Sequence, residues 1–419
     1  MNELTAIWAD WLRPSAGLPT VQWSLLLAVA AAAGHLLQRA TGIPKVVGYS
    51  IVGALAGLGG FPGGSWPLQG LTLFLLELGV SVVLFEAGGR VALRWFRHNP
   101  MVLLQSVLET VLTAVAVSYA LRWMGVPSQV AEAVALVAIA ASPAVLSRVI
   151  MDVGASGPVT ERAIVLSTLN TLYALALVSA RTGVMHRPVA NLGETLYPVA
   201  VVLGISLVVG AALALVLRTA LRVMVPTSEN TSMLLLAMIA AAAAIAAPLG
   251  GSAPLAALVG GIMLKQLNPR PWAWPRQLGS AASLLIMLMF VLVSLVAAKS
   301  PWNPAVAGIV GVLVLARSAA KIAGVELANW GSGTRWHQAF WTACAMAPMS
   351  SVSLLLVAQF MDASLTLGPR IAGIALPAIL LMEVLGAIIA TFALYRAGES
   401  SIPLHPASTR GARRGALRG

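Results

Sequence analysis

Apolar residues in this chain run in long continuous blocks, neither alternating nor confined to one helical stripe. Read end to end, the blocks predict helical spans at roughly 20–38, 43–60, 69–88, 101–123, 130–152, 160–182, 196–217, 230–248, 251–265, 279–298, 304–325, 338–359 and 370–396. Most are about 20 residues, the length that crosses a ~30 Å hydrocarbon core. Continuity excludes a β-barrel, whose strands alternate polar and apolar positions. Short connectors such as FPGGSWP and APLGGSAP separate several blocks. The expected fold class is an all-α polytopic membrane protein of about thirteen transmembrane helices.

Two spans carry an internal proline. The fifth contains AIAASPAVLSR (138–148) and the twelfth ACAMAPMSSVS (343–353); aligned on Pro143 and Pro348, both read Ala-x-Ala-x-x-Pro. Proline deletes a backbone hydrogen bond and crowds the preceding turn, so both helices are expected to kink or unwind. Freed carbonyls and amides must then face protein, water or ligand. Six spans precede the seventh and six follow it, and the broken spans are fifth in each set. This gives two inverted repeats with paired discontinuous helices, about 20–182 and 230–396, joined by a linking helix at about 196–217. That arrangement points to a transporter site near the midplane. Two ordinary proline kinks in an alanine-rich chain are the plainer alternative.

Polar positions inside the blocks are few. LSTLNTLYAL (166–175) sets Ser167, Asn170 and Thr171 at i, i+3 and i+4, on one side of the sixth span. Span eleven carries Arg317 and Lys321, one turn apart. Charges at a span centre cost ~2.5–3.5 kcal/mol on insertion scales. Either both snorkel to an interface or carboxylates answer them. The candidates are Glu77, Glu86, Glu109, Glu132 and Glu383. Glu132 sits near an outer span end and Glu86 lies close to Arg90. Glu77 and Glu383 are the more deeply placed and are taken as possible proton carriers.

Composition sharpens this. The 419 residues are 59% hydrophobic and only 10% charged, with mean hydropathy +0.88. The net charge of +12 does not signal nucleic acid, because the basic residues cluster at the ends of apolar runs, as topology signals do. They place the N-terminus outside and the C-terminus in the cytoplasm. The first run lacks the flanks of a cleavable signal. Expected organisation is a short extracytoplasmic segment (1–19), the transmembrane domain (20–396) and a disordered basic tail (397–419). Five His and one Cys give no metal cluster or cofactor site, and no nucleophile elbow or phosphate loop is present. The chain is not read as an enzyme.

Together these segments resemble the monovalent cation:proton antiporter superfamily, the bacterial sodium/hydrogen exchanger and Kef-type membrane domain. The resemblance rests on GIPKVVGYSIVGALAG (42–57), on LELGVSVVLFEAGGRVAL (76–93) with Glu77, Phe85 and Gly88, on the break at Ser142–Pro143, and on GSAPLAALVGG (251–261). It rests further on Lys321 with Gly324, on PMSSVSLLL, and on Glu383-Val-Leu-Gly386. It implies a core domain and a dimerisation domain, a homodimer in the bacterial inner membrane, and alternating access exchanging a proton for sodium or potassium. The implied transport core is Asn170, Thr171, Ser167, Ser142, Pro143, Pro348, Ser350, Arg317 and Lys321.

Two departures matter. Where the family typically has Asn-Asp or Asp-Asp, this chain has Asn170–Thr171; where it often has Thr-Asp-Pro, this chain has Ala141-Ser142-Pro143. Hydroxyl and amide oxygens can ligate a cation but cannot release a proton near neutral pH. Antiport therefore requires a non-standard proton-carrying site. The unanswered positive charges also leave open an organic anion or zwitterion as cargo, and the missing acid leaves open a transport-inactive scaffold or sensor.

Overall fold

The computed structural model describes residues 21–401 except 62, 63, 65, 92, 94, 95, 97, 98, 186–191, 225–228, 269–275 and 350. The expected segment 1–19 lies outside the described residues, as does 402–419. The helices are α1 (Val21–Thr41), α2 (Lys45–Leu58), α3 (Gly70–Arg90), α4 (Met101–Trp123), α5 (Ser128–Ile139), α6 (Pro143–Val153), α7 (Pro158–Val184), α8 (Leu192–Val223), α9 (Glu229–Ala246), α10 (Ala253–Leu267), α11 (Arg276–Ala298), α12 (Pro304–Leu327), α13 (Trp336–Ala345), α14 (Ser351–Ala363) and α15 (Gly368–Arg396). Among the described residues, seven helical segments, counting interrupted 128–153 as one, are long and apolar enough to cross a membrane. The fold is all-α; the β feature among the described residues is a single bridge, Ala155 to Ser400.

The helices sort into two bundles by packing. One, the scaffold, holds α1, α2, α3, α8, α9, α10 and α11. The other, the core, holds α4 to α7 and α12 to α15. The core thus takes one triplet around a broken helix from each half of the chain. Scaffold helices meet backbone to backbone at glycines: a Cβ on Gly261 would stand 2.1 Å from Phe85 O, and one on Gly88 would stand 2.4 Å from Leu258 O. Such small-residue contacts supply packing where lipid offers no hydrophobic drive.

Both expected breaks are present, at 140–142 between α5 and α6 and at 346–349 after α13. Proline alone does not cause them. Pro198 lies inside α8 and Pro377 inside α15, and both helices continue through. The breaks at Pro143 and Pro348 persist because the two unwound segments cross and bond each other: Ser142 N–H donates to Pro348 O at 2.9 Å. Ser142 then caps α6, its Oγ accepting from Val145 N–H at 3.3 Å, with Pro143 at the first helical position.

Just past α15 the chain is tied to the start of α7. Glu399 accepts from the N–H groups of Val159 and Thr160, both at 2.7 Å, and from Thr160 Oγ1 at 2.7 Å. Its carboxylate caps the otherwise open N-terminus of α7.

Candidate functional site

The site is built around α12. Arg317 is 0% and Lys321 1% exposed, so neither snorkels. Arg317 Nε donates to Ala138 O at 2.9 Å, Nη2 to Ala140 O at 3.0 Å and Nη1 to Ala347 O at 2.6 Å. One guanidinium therefore fills the carbonyl ends of both half-helices, α5 and α13. Each helix C-terminus carries about half a negative charge, so two of them answer one Arg. No carboxylate is needed there.

Lys321 is answered differently. Its Nζ donates to Glu109 Oε1 at 2.5 Å and to Ile139 O at 3.3 Å. Glu109, on α4, is 0% exposed. Thr113 Oγ1 donates to Oε1 at 3.0 Å, and Asn170 Nδ2 donates to Oε2 at 2.6 Å. Thr110 Oγ1 in turn donates to Asn170 Oδ1 at 3.3 Å. Gly324 makes the pairing possible: a Cβ there would lie 2.4 Å from Glu109 Cα. The two helices touch where the carboxylate and the ammonium meet.

The expected polar face of α7 divides in two. Asn170 faces Glu109, whereas Thr171 Oγ1 donates to Ala141 O and Ser167 O, both at 2.9 Å, at the crossing. Ser167 Oγ and the hydroxyls of Ser351 and Ser353 on α14 are buried without a partner among the described residues. Asn170, Thr171, Ser167, Ser142, Pro143, Pro348, Arg317 and Lys321 thus gather at or beside the crossing; Ser350 lies outside the described residues.

Glu77 and Glu383 do not join this cluster. Glu77 is half-buried on α3 and lines a cavity of about 80 Å³ between the bundles. Leu73 and Ser252 line it on the scaffold side, and Leu175, Leu355 and Gln359 on the core side, with Asp362 also present. Leu175 and Leu355 each stand one turn beyond Thr171 and Ser351, so the cavity ends just short of the crossing. Glu383 sits at the seam between the bundles, where Ser294 Oγ donates to its Oε2 at 2.9 Å. At the other end of the seam the bundles close on each other. Lys45 N–H donates to Asp152 Oδ2 at 3.0 Å, and Arg148 Nη1 donates to Ser283 Oγ at 3.0 Å.

Glu109, the carboxylate at the centre, was one candidate among five by sequence. The signal that singles it out is a polar stripe on α4. Gln105, Ser106, Glu109, Thr110 and Thr113 fall at i, i+1, i+4, i+5 and i+8, and all are buried. Of the other candidates, Glu86 pairs with Arg90 at 2.7 Å, and Glu132 with Arg122 at 2.5 Å and Arg181 at 3.5 Å.

Known structures share this architecture. The sodium proton antiporter MjNhaP1 from Methanocaldococcus jannaschii, determined at pH 8, superposes with a TM-score of 0.71 at 16% identity, over 96% of this chain and 99% of that one. The same antiporter determined by electron microscopy gives a TM-score of 0.64 at 17% identity, over 96% of each chain. No match is found among curated proteins. The sequence model described as "Sodium/hydrogen exchanger, transmembrane" matches residues 25–396. This chain, a multi-pass membrane protein built on the antiporter fold, therefore belongs to the sodium/hydrogen exchanger family, within the cation:proton antiporters.

Proposed function

We propose that this protein exchanges sodium or potassium for a proton by alternating access, and that the Lys321–Glu109 pair is its proton-exchanging unit. The observation that carries the reading is the buried Glu109 carboxylate held by Lys321 and Asn170. It supplies the acid missing from α7, one helix away.

Charge balance gives the mechanism. The ion pair is neutral. A cation entering beside it makes the sealed site positive, which costs several kcal/mol in a dry interior. Loss of one proton from Lys321 restores neutrality, with Glu109 now facing the cation's charge; the pair, rather than either residue, titrates. One proton leaves for each monovalent cation bound, so the exchange is electroneutral. The hydroxyls of Ser167, Thr171, Ser351 and Ser353 and the Ala141 carbonyl are the oxygens proposed to replace part of the cation's hydration shell. The cavity that ends at Leu175 and Leu355 is the proposed entry. Its opening lies on the extracytoplasmic side in the topology the basic residues favour.

An organic anion was attractive only while Arg317 and Lys321 lacked partners. Half-helix carbonyls and Glu109 now account for both, which removes that support. Nothing in the cycle changes the cargo covalently, so the protein acts as a transporter and not an enzyme, proposed as a homodimer in the bacterial inner membrane. The test is flux in proteoliposomes. An imposed pH gradient should collapse on addition of sodium or potassium, and Glu109→Gln should abolish the response. Silence of folded wild-type protein across pH 6–9 would overturn antiport. Full exchange by Glu109→Gln would overturn the assignment of the carrier.

A further inference from the structure

A second buried carboxyl group lies outside the centre described above. Glu383 stands mid-way along α15, thirteen residues from Arg370 and thirteen from Arg396, or ~20 Å from either by helical rise. It is 0% exposed, as are Ser50 and Ser294, the residues beside it on α2 and α11. Ser294 Oγ donates to Glu383 Oε2, while Glu383 Oε1 and Ser50 Oγ have no geometrically complete hydrogen bond among the described residues. A carboxyl oxygen and a hydroxyl thus sit together, and a proton on either can close a second bond.

The position gives the pair its meaning. Glu383 belongs to the core and both serines belong to the scaffold. Those serines move as one body, because α2 and α11 are in backbone contact: a Cβ on Gly53 would stand 2.4 Å from Val291 O and 3.1 Å from Ser294 Cβ. On the core side, Gly386, one turn along from Glu383, lies against the second break, where an added Cβ would be 2.6 Å from Pro348 Cα. Any displacement of core against scaffold must break the Glu383–Ser294 bond.

Among the described residues, no cation answers this carboxyl group. On α12, Arg317 and Lys321 are engaged by the half-helix carbonyls and Glu109, and Glu326 lies near the helix end. On α6, Arg148 faces Ser283 and Asp152, and Asp152 holds the start of α2. On α5, Glu132 faces Arg122 and Arg181. On α2, Lys45 is the first residue and Tyr49 lies in the first turn. On α13, His337 accepts from Trp341, and Cys344 is a free thiol. Asp362 is at the end of α14 and lines the cavity. From Ser283 to Ala298, α11 carries no charged residue. An ionised carboxylate here would be fully buried, with two serine hydroxyls and no charged donor among the described residues to answer it.

The geometry points to Glu383 as a second proton-binding site, a latch that ties core to scaffold in this conformation while it holds its proton. The neutral acid donates from Oε1 to Ser50 Oγ and accepts from Ser294 at Oε2, bridging α15 to both scaffold helices. Loss of that proton, once the core shifts and water reaches the seam, leaves an ion that does not re-enter a dry interface, so the latch reopens only after reprotonation. This goes beyond the exchange proposed for Lys321 and Glu109, and it is testable without transport.

The experiment is pulsed spin-label distance measurement on full-length protein in lipid nanodiscs from pH 5 to pH 9. Labels go on Leu249→Cys of the scaffold and Leu365→Cys of the core, both exposed (57% and 91%), in a Cys344→Ser background. Wild type should show two distance populations, with the one matching this structure dominant at low pH. Glu383→Gln, a permanently neutral isostere, should hold that population across the range. Ser50→Ala with Ser294→Ala, which leaves the carboxyl group in place, should deplete it at least several-fold at pH 5 and covers the case in which Glu383→Gln does not fold. A pH profile in Glu383→Gln that superimposes on wild type, a serine double variant that leaves the populations unchanged, or a wild-type distribution that ignores pH would each overturn the latch.

Discussion

Glu109 and Glu383 are both fully buried carboxyl groups in one bundle, yet their surroundings differ in kind. Glu109 meets an ammonium, an amide and a threonine hydroxyl, all from core helices. Glu383 meets a serine hydroxyl from the opposite bundle. The first environment offers the carboxyl group a full positive charge; the second offers only hydroxyls. Burial alone therefore does not assign a role to an intramembrane acid. The partner's charge, and the body the partner belongs to, decide it.

Four substitutions and one control, Gly311→Ala, probe this contrast, in falling order of expected effect. Glu109→Gln strands Lys321 in a dry interior, which costs ~3–5 kcal/mol; proton-linked cation flux should fall at least ~100-fold and the thermal midpoint should drop sharply. Gly324→Ala forces a methyl group against the Glu109 backbone at 2.4 Å. Overpacking of this kind costs ~1–3 kcal/mol, and exchange should weaken as α4 and α12 separate, while Gly311→Ala, where a Cβ meets nothing within 4 Å, should be silent. Glu399→Gln halves the charge-assisted cap on α7, the helix that carries Asn170. A loss of ~1 kcal/mol in thermal or denaturant stability is expected, with flux preserved. Glu383→Gln should change stability least, under ~1 kcal/mol, because the amide replaces a neutral acid of the same shape. A destabilisation by Glu383→Gln as large as that of Glu109→Gln would erase the distinction between the two sites.

Much of the architecture was legible in the sequence. The apolar blocks fell on the helices, and the Ala-x-Ala-x-x-Pro pairs marked both interruptions. Pro377 shows where that signal stops. It too lies within an apolar span, but α15 runs through it, because no second unwound strand and no guanidinium wait there to satisfy an open backbone. Local sequence reports the missing N–H of a proline; it does not report the partner that makes unwinding tolerable. The same limit applied to charge. Lys321 was visible as a problem, but its answer came from α4, 212 residues away. Arg317 was answered by backbone carbonyls, which every residue possesses and no sequence pattern distinguishes. Glu77 and Glu383 drew attention by depth along their own helices, a coordinate that says nothing about which neighbour each one faces.

Arg317 also sets an order of assembly. Its bonds to Ala138 and Ala140 span 179 and 177 residues, so those two carbonyls lack their guanidinium donor until the ribosome has added more than a third of the chain. The first interrupted helix must wait, incompletely folded, for the second half to arrive. A nascent chain halted before residue 317 should therefore remain a substrate for quality control however many of its helices have already entered the bilayer.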